Sequence, residues 1–191
     1  MDKNYITDKN FEAADFTRKV FHQGIYETCR FINCNFSGCT LTGSVFSECE
    51  FSGCDLSLAV LNDTAFRDSV FINCKLLGLR FDSCNEFGLS FSFDNCIIND
   101  SSFLGIKIPK TIFKDCRIHN ADFTECGLNS AVFKNCDLKG SVFYRTDLKG
   151  ADLSSSFNYS IDPETSNIKK AKFSIPAVTG LLDKYDIKIT F

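Results

Sequence analysis

Tryptophan is missing from the 191-residue chain, methionine occurs once, proline three times and histidine twice. The two histidines, His22 and His119, are far apart in sequence and offer little acid–base chemistry. No glycine-rich phosphate loop, nucleophile elbow or paired metal motif is present, so neither catalysis nor a bound metal or cofactor is expected. No run approaches the roughly 18 apolar residues of a membrane span, and the opening MDKNYITDKN lacks the basic-then-apolar order of a secretory signal. A net charge of −3 supplies no general basic face for phosphates. The expectation is a cytoplasmic, non-enzymatic protein that contacts neither membrane nor nucleic acid directly.

What the chain has in excess is phenylalanine, 21 of them, and cysteine, 11. Stepping by five from Phe11 meets a large apolar residue at every stop to Phe81, and stepping by five from Phe93 does so again to Leu153. The second series is displaced by two residues. Two places before most centres stands a small residue, as at Cys29, Cys34, Ser44, Cys54, Ala121 and Cys136. Neither the 3.6 period of a helix nor strand alternation gives this pattern. A coil with two inward residues in every five does.

The units CNFSG, CEFSG, CDLSL, ADFTE, CDLKG and ADLSS closely resemble the consensus of the pentapeptide-repeat family. That resemblance implies an all-β, right-handed quadrilateral β-solenoid with four repeats to a coil and seven to eight coils. The sequence carries its own test, since residues 20 apart should then stack. Phe11, Phe31, Phe51 and Phe71 form such a column, continued after the offset by Phe93, Phe113, Phe133 and Leu153. A second column holds Cys34, Cys54, Cys74, Cys96, Cys116 and Cys136. Rungs about 4.8 Å apart make seven coils a rod of roughly 35 Å. The cysteines are read as small buried packing residues, reduced and unbridged.

The solenoid is expected over residues 1–173, with a two-residue bulge near 85–90, and a cap over 174–191. Ser174 and Pro176 resemble a helix start, and Val178, Leu181, Leu182 and Tyr185 recur at helical spacing. Ile187, Ile189 and Phe191 then alternate as in a strand. This apolar helix-plus-strand is the expected dimer interface.

No lysine or arginine lies between Arg30 and Arg67, where Glu48, Glu50, Asp55 and Asp63 stand, with Asp68 just beyond. Column arithmetic sets Glu50 beside Arg30 and Asp55 beside Lys75, whereas Glu48 and Asp68 oppose each other. Like charges directly opposed are unfavourable, which marks that pair as a candidate binding site. Glu86, Phe87, Gly88 and Leu89 form the core of the bulge, a second candidate site; burial of Phe87 or Leu89 is the simpler expectation. Within the family, the length and the tail GLLDKYDIKI resemble the Qnr and MfpA group. That resemblance implies a dimeric, DNA-like rod that binds DNA gyrase or topoisomerase IV and protects it from quinolones. The alternative is a repeat scaffold for another protein partner.

Overall fold

Each group of five residues crosses one side of a square and turns a corner. The computed structural model describes residues 4–190. On the first face, β1 (Asn4–Thr7), β3 (Gly24–Glu27), β5 (Val45–Ser47) and β7 (Ala65–Arg67) form a four-stranded parallel sheet. The second face is a nine-stranded parallel sheet. It runs through β2 (Asn10–Glu12), β4 (Arg30–Ile32), β6 (Glu50–Ser52), β8 (Ser69–Ile72) and β9 (Phe91–Asp94). It then continues through β10 (Ile112–Lys114), β11 (Val132–Lys134), β12 (Asp152–Leu153) and β13 (Lys172–Phe173). The third and fourth faces are held by single bridges, such as Asn35 with Asp55 and Ser102 with Asp122. Nine strands on one face enclose about eight coils, in agreement with the upper end of the expectation.

The centre of each repeat points inward. Phe31, Phe51, Phe71, Phe93, Phe113 and Phe133 are buried on the second face. Their rings stack at 4.8 Å between Phe31 and Phe51 and at 4.7 Å between Phe113 and Phe133. Rings at that separation fill the rung spacing, so one side-chain shape is wanted at every level. The expected offset appears as Phe71 pairing with Phe93, 22 residues on.

The small residue two places before each centre does more than pack. The Cys74 thiol donates to the Phe51 carbonyl (3.3 Å), and Cys54 donates likewise to Phe31 (3.2 Å). Hydroxyls at this place make the same bond, as from Thr64 to Leu41 at 2.9 Å and Ser101 to Leu76 at 2.8 Å, whereas Ser44 Oγ is buried with no partner among the described residues. All eleven cysteines are free. Burial pushes the Cys49 and Cys126 thiols up to about 12, and the protonated Cys49 thiol donates to the Tyr26 carbonyl (3.4 Å).

The last place of most repeats is a left-handed corner. Asn33, Asn73, Asn95 and Asn135 have φ between +52° and +54°. Asn and Asp tolerate that region better than other side chains, which explains their abundance there. Side-chain ladders follow, as where Asn95 donates to Asn73 at 2.7 Å.

The cap departs from the sequence expectation. Ile175–Leu181 and Asp183–Tyr185 are 3-10 helices rather than an α-helix. The expected strand through Ile187 and Ile189 does not form, and Phe191 lies outside the described residues. Asp186 takes φ +48° and turns the chain after the last helical turn, and the tail does not add to the edge strand β13, which pairs with β12 alone among the described residues. Gly180 is required where it sits: an added Cβ would lie 2.0 Å from the Tyr159 carbonyl oxygen. No helix of the described residues is long and apolar enough to cross a membrane.

Candidate functional site

The first face is where the regular coil is interrupted. Its ladder runs from β1 to β7 and resumes as single bridges through Lys107, Gly127, Asp147 and Asn167. Between them lies the bulge. Asn85 N donates to Thr64 O (3.0 Å) and Ser90 N to Phe66 O (2.9 Å), so both ends of the segment remain in the ladder. The interior forms a turn closed by Leu89 N to Glu86 O (3.3 Å), with Gly88 at φ +70°. A left-handed third residue is what such a turn needs, and glycine supplies it without strain.

The turn divides its apolar residues. Leu89 packs half-buried against the core, and Phe91 fills the vacated inward place, 5.3 Å from Phe81 and 5.1 Å from Phe93. Phe87 points outward and is 79% exposed. The expectation that Phe87 or Leu89 turns inward is met by Leu89, while Phe87 stays outside. Arg67 lies over the Phe87 ring at 5.6 Å, and its Nε donates to the Phe87 carbonyl (3.5 Å).

The five acids separate into three groups. Glu48 and Asp68 are exposed on the corner between first and second faces, and Asp63 is exposed on the opposite edge of the first face. Two of these three hold the turn in place: Asn85 Nδ2 donates to Asp63 (2.7 Å) and Ser90 Oγ to Asp68 (2.8 Å). Glu50 lies round the corner on the second face, ion-paired with Arg30 at 3.5 Å as the columns predict. Asp55 is on the third face, away from the others, and accepts from Ser57 N (3.0 Å). Among the described residues no ion pair joins it to Lys75. Sequence reasoning missed Arg67, Asn85 and Ser90. Advancing the columns by 22 instead of 20 across the offset would have set Asn85 beside Asp63 and Ser90 beside Asp68.

At the far end, Val178, Leu182, Tyr185, Ile187 and Ile189 are exposed, from 38% to 56%, while Leu181 packs against the core. The tail is tied down by Lys184, whose Nζ reaches Asp162 at 2.8 Å and Glu164 at 2.6 Å. Tyr185 also donates to Glu164 (3.0 Å). These bonds hold the carboxyls of Asp162 and Glu164 below the usual range, in both cases chiefly through Lys184.

Comparison with known proteins joins these features to a family. The description "Pentapeptide repeats (8 copies)" matches residues 29–63 and 49–85, and "Pentapeptide repeat region" matches residues 87–153. No curated protein sequence matches the chain. Among solved structures, a trypsin-treated variant of QnrB1, a plasmid-mediated fluoroquinolone resistance protein, aligns at a TM-score of 0.63. It is 18% identical, with 100% of this chain and 93% of that one covered. Full-length QnrB1 aligns at 0.58, 16% identical, over 96% and 100%. HetL, involved in heterocyst differentiation regulation in the cyanobacterium Nostoc sp. strain PCC 7120, aligns at 0.57 and 18% identity over 91% and 88%. At these identities the likeness is one of fold.

Proposed function

Because the chain belongs to the pentapeptide-repeat family, we propose that it acts without catalysis, as a rod whose first face, acidic in the half before the turn, binds a type II topoisomerase, DNA gyrase or topoisomerase IV. The observation that carries this reading is the grouping of Glu48, Asp63 and Asp68 around a protruding turn that exposes Phe87. Eight rung spacings of about 4.8 Å give a length near 40 Å, close to that of eleven base pairs at about 3.4 Å each. Acids spaced along such a rod can enter a basic channel built for duplex DNA. The fold likeness to QnrB1, itself a fluoroquinolone resistance protein, supports the choice of partner class. A cytoplasmic location follows from that partner. The exposed cap residues Val178, Leu182, Tyr185, Ile187 and Ile189 form the proposed contact for an end-to-end homodimer. The second reading, a scaffold for a different protein, is supported by the likeness to HetL.

A supercoiling assay with purified gyrase, with and without a quinolone, tests the proposal. Protection or inhibition is expected for the native chain. Glu48→Lys should weaken it about tenfold with little change in melting temperature, because Glu48 makes no side-chain bond within the described residues. No effect of the native chain across a wide concentration range would favour the scaffold reading.

A further inference from the structure

Along the corner between the first and second faces the charge reverses at the turn. Arg67, held over Phe87, is the one base before it, and Asp147 remains on the first face after it. Otherwise the two columns at the last two places of the repeats hold Asp8, Glu27, Glu48 and Asp68 before the turn and Lys110, Lys149, Lys169 and Lys170 after it. Among the described residues none of these eight side chains has an ion-pair partner, although Lys114, Lys172 and Arg145 elsewhere on the rod are paired. The turn stands at the middle, with four rungs on either side.

We propose that this face is a contact between two copies of the chain, docked antiparallel about a two-fold axis through the turn. Such an axis keeps each column opposite itself and exchanges rungs about the centre. Asp8 then faces Lys170 of the second copy, Glu27 faces Lys149, and Asp68 faces Lys110, each pair occurring twice. The remaining member of the corner column, Glu48, faces Ser130. No like charges meet in either column. A slip of one rung leaves one opposite-charge pair in these columns instead of three, and parallel docking sets acid against acid. The register is therefore specific.

The centre has the make-up of an interface core. Phe87 is exposed on the axis, against its own copy, and an aromatic anchor ringed by polar groups is the arrangement that carries binding energy. Beside it, Asp68, Ser90 and Lys110 line a shallow depression of ≈ 290 Å³ along the corner. Five residues at about 3.3 Å each make a side at most about 16 Å wide, so a face about 40 Å long offers roughly 600 Å² per partner, the lower end of a standard specific interface. The long lysines span the gap that two opposed turns hold open. The pairing does not depend on the topoisomerase reading, although it covers the same acids.

Sedimentation velocity on full-length chains carrying Leu182→Asp, which silences end-to-end contact, tests the proposal. The chain with an intact first face should form dimers that dissociate between 0.05 and about 0.5 M salt. Asp68→Lys and Lys110→Asp should each raise the dissociation constant about a hundredfold. Both exchanges suit the backbone, since the same corner already holds Lys110 at φ +61° and Asp8 at φ +52°. An equimolar mixture of the two variants should associate again, because each copy then offers what the other lacks. Phe87→Ser should weaken association independently of charge. A monomeric parent at all concentrations, an unchanged dimer in the single variants, a mixture that stays monomeric, or retention of added duplex DNA by the lysines without self-association would each overturn it.

Discussion

At the scale of single residues, the cysteine columns are hydrogen-bonding devices as much as packing ones. The carbonyls of several centres, Phe31, Leu41 and Phe51 among them, accept a thiol or hydroxyl from the next coil, while Ala121 and Ala131 fill the same place by packing alone. Cys74→Ser should therefore be almost neutral in urea denaturation, whereas Cys74→Ala should cost about 1–2 kcal/mol, since it strips the Phe51 carbonyl of its partner inside the core. Equal losses for the two variants would return the site to plain packing. The inward pattern of Phe31 or Cys54 was legible because one geometry repeats and leaves a period. The thiol bonds were not, because Cys, Ser and Ala look alike as small residues until the neighbouring carbonyl is in view. The left-handed corners were legible in principle, since Asn33, Asn73, Gly53 and Asn95 all fall on the same place of the repeat.

Elements behave according to how many neighbours they have. The inner strands of the second face have a partner above and below, and the columns run through them from Phe11 to Phe173. The tail stays outside this ladder: Ile187 and Ile189 do not pair with the edge strand β13, and helical spacing at Val178 and Leu182 is met by tighter 3-10 turns. Leu181 against the core and the bond from Ile161 N to Gly180 O (2.9 Å) seat the cap, and Lys184 between Asp162 and Glu164 adds an ionic tie. Both carboxyls titrate below their unfolded values, so their contribution is present at neutral pH and is lost as pH falls through the depressed folded values. Hydrogen exchange of residues 175–185 should accelerate below about pH 4 while the second face stays protected, and Lys184→Met should show the same local opening at pH 7. Simultaneous loss of both regions would mean that the cap is no separate unit.

For the molecule as a whole, the acids were visible in sequence as a run without lysine or arginine, but their grouping was not. A linear run of residues winds round all four faces, which is why Asp55 and Glu50 part from Glu48 and Asp68. The lysines after the turn were hidden for the same reason, scattered over 60 residues yet aligned in space. Only the 22-residue step at the turn, read into every column, assembles the face.

One property of the ladder reaches beyond recognition. The backbone hydrogen bonds of the sheets run along the rod, from coil to coil, so force applied at the two ends loads them lengthwise. Such a structure peels rather than shears. Each coil released frees 20 residues, about 65 Å of contour beyond its own rung. Pulled between its termini, the chain should lengthen in a sawtooth of that spacing, and the coil that carries the turn should give one step about 7 Å longer than the rest.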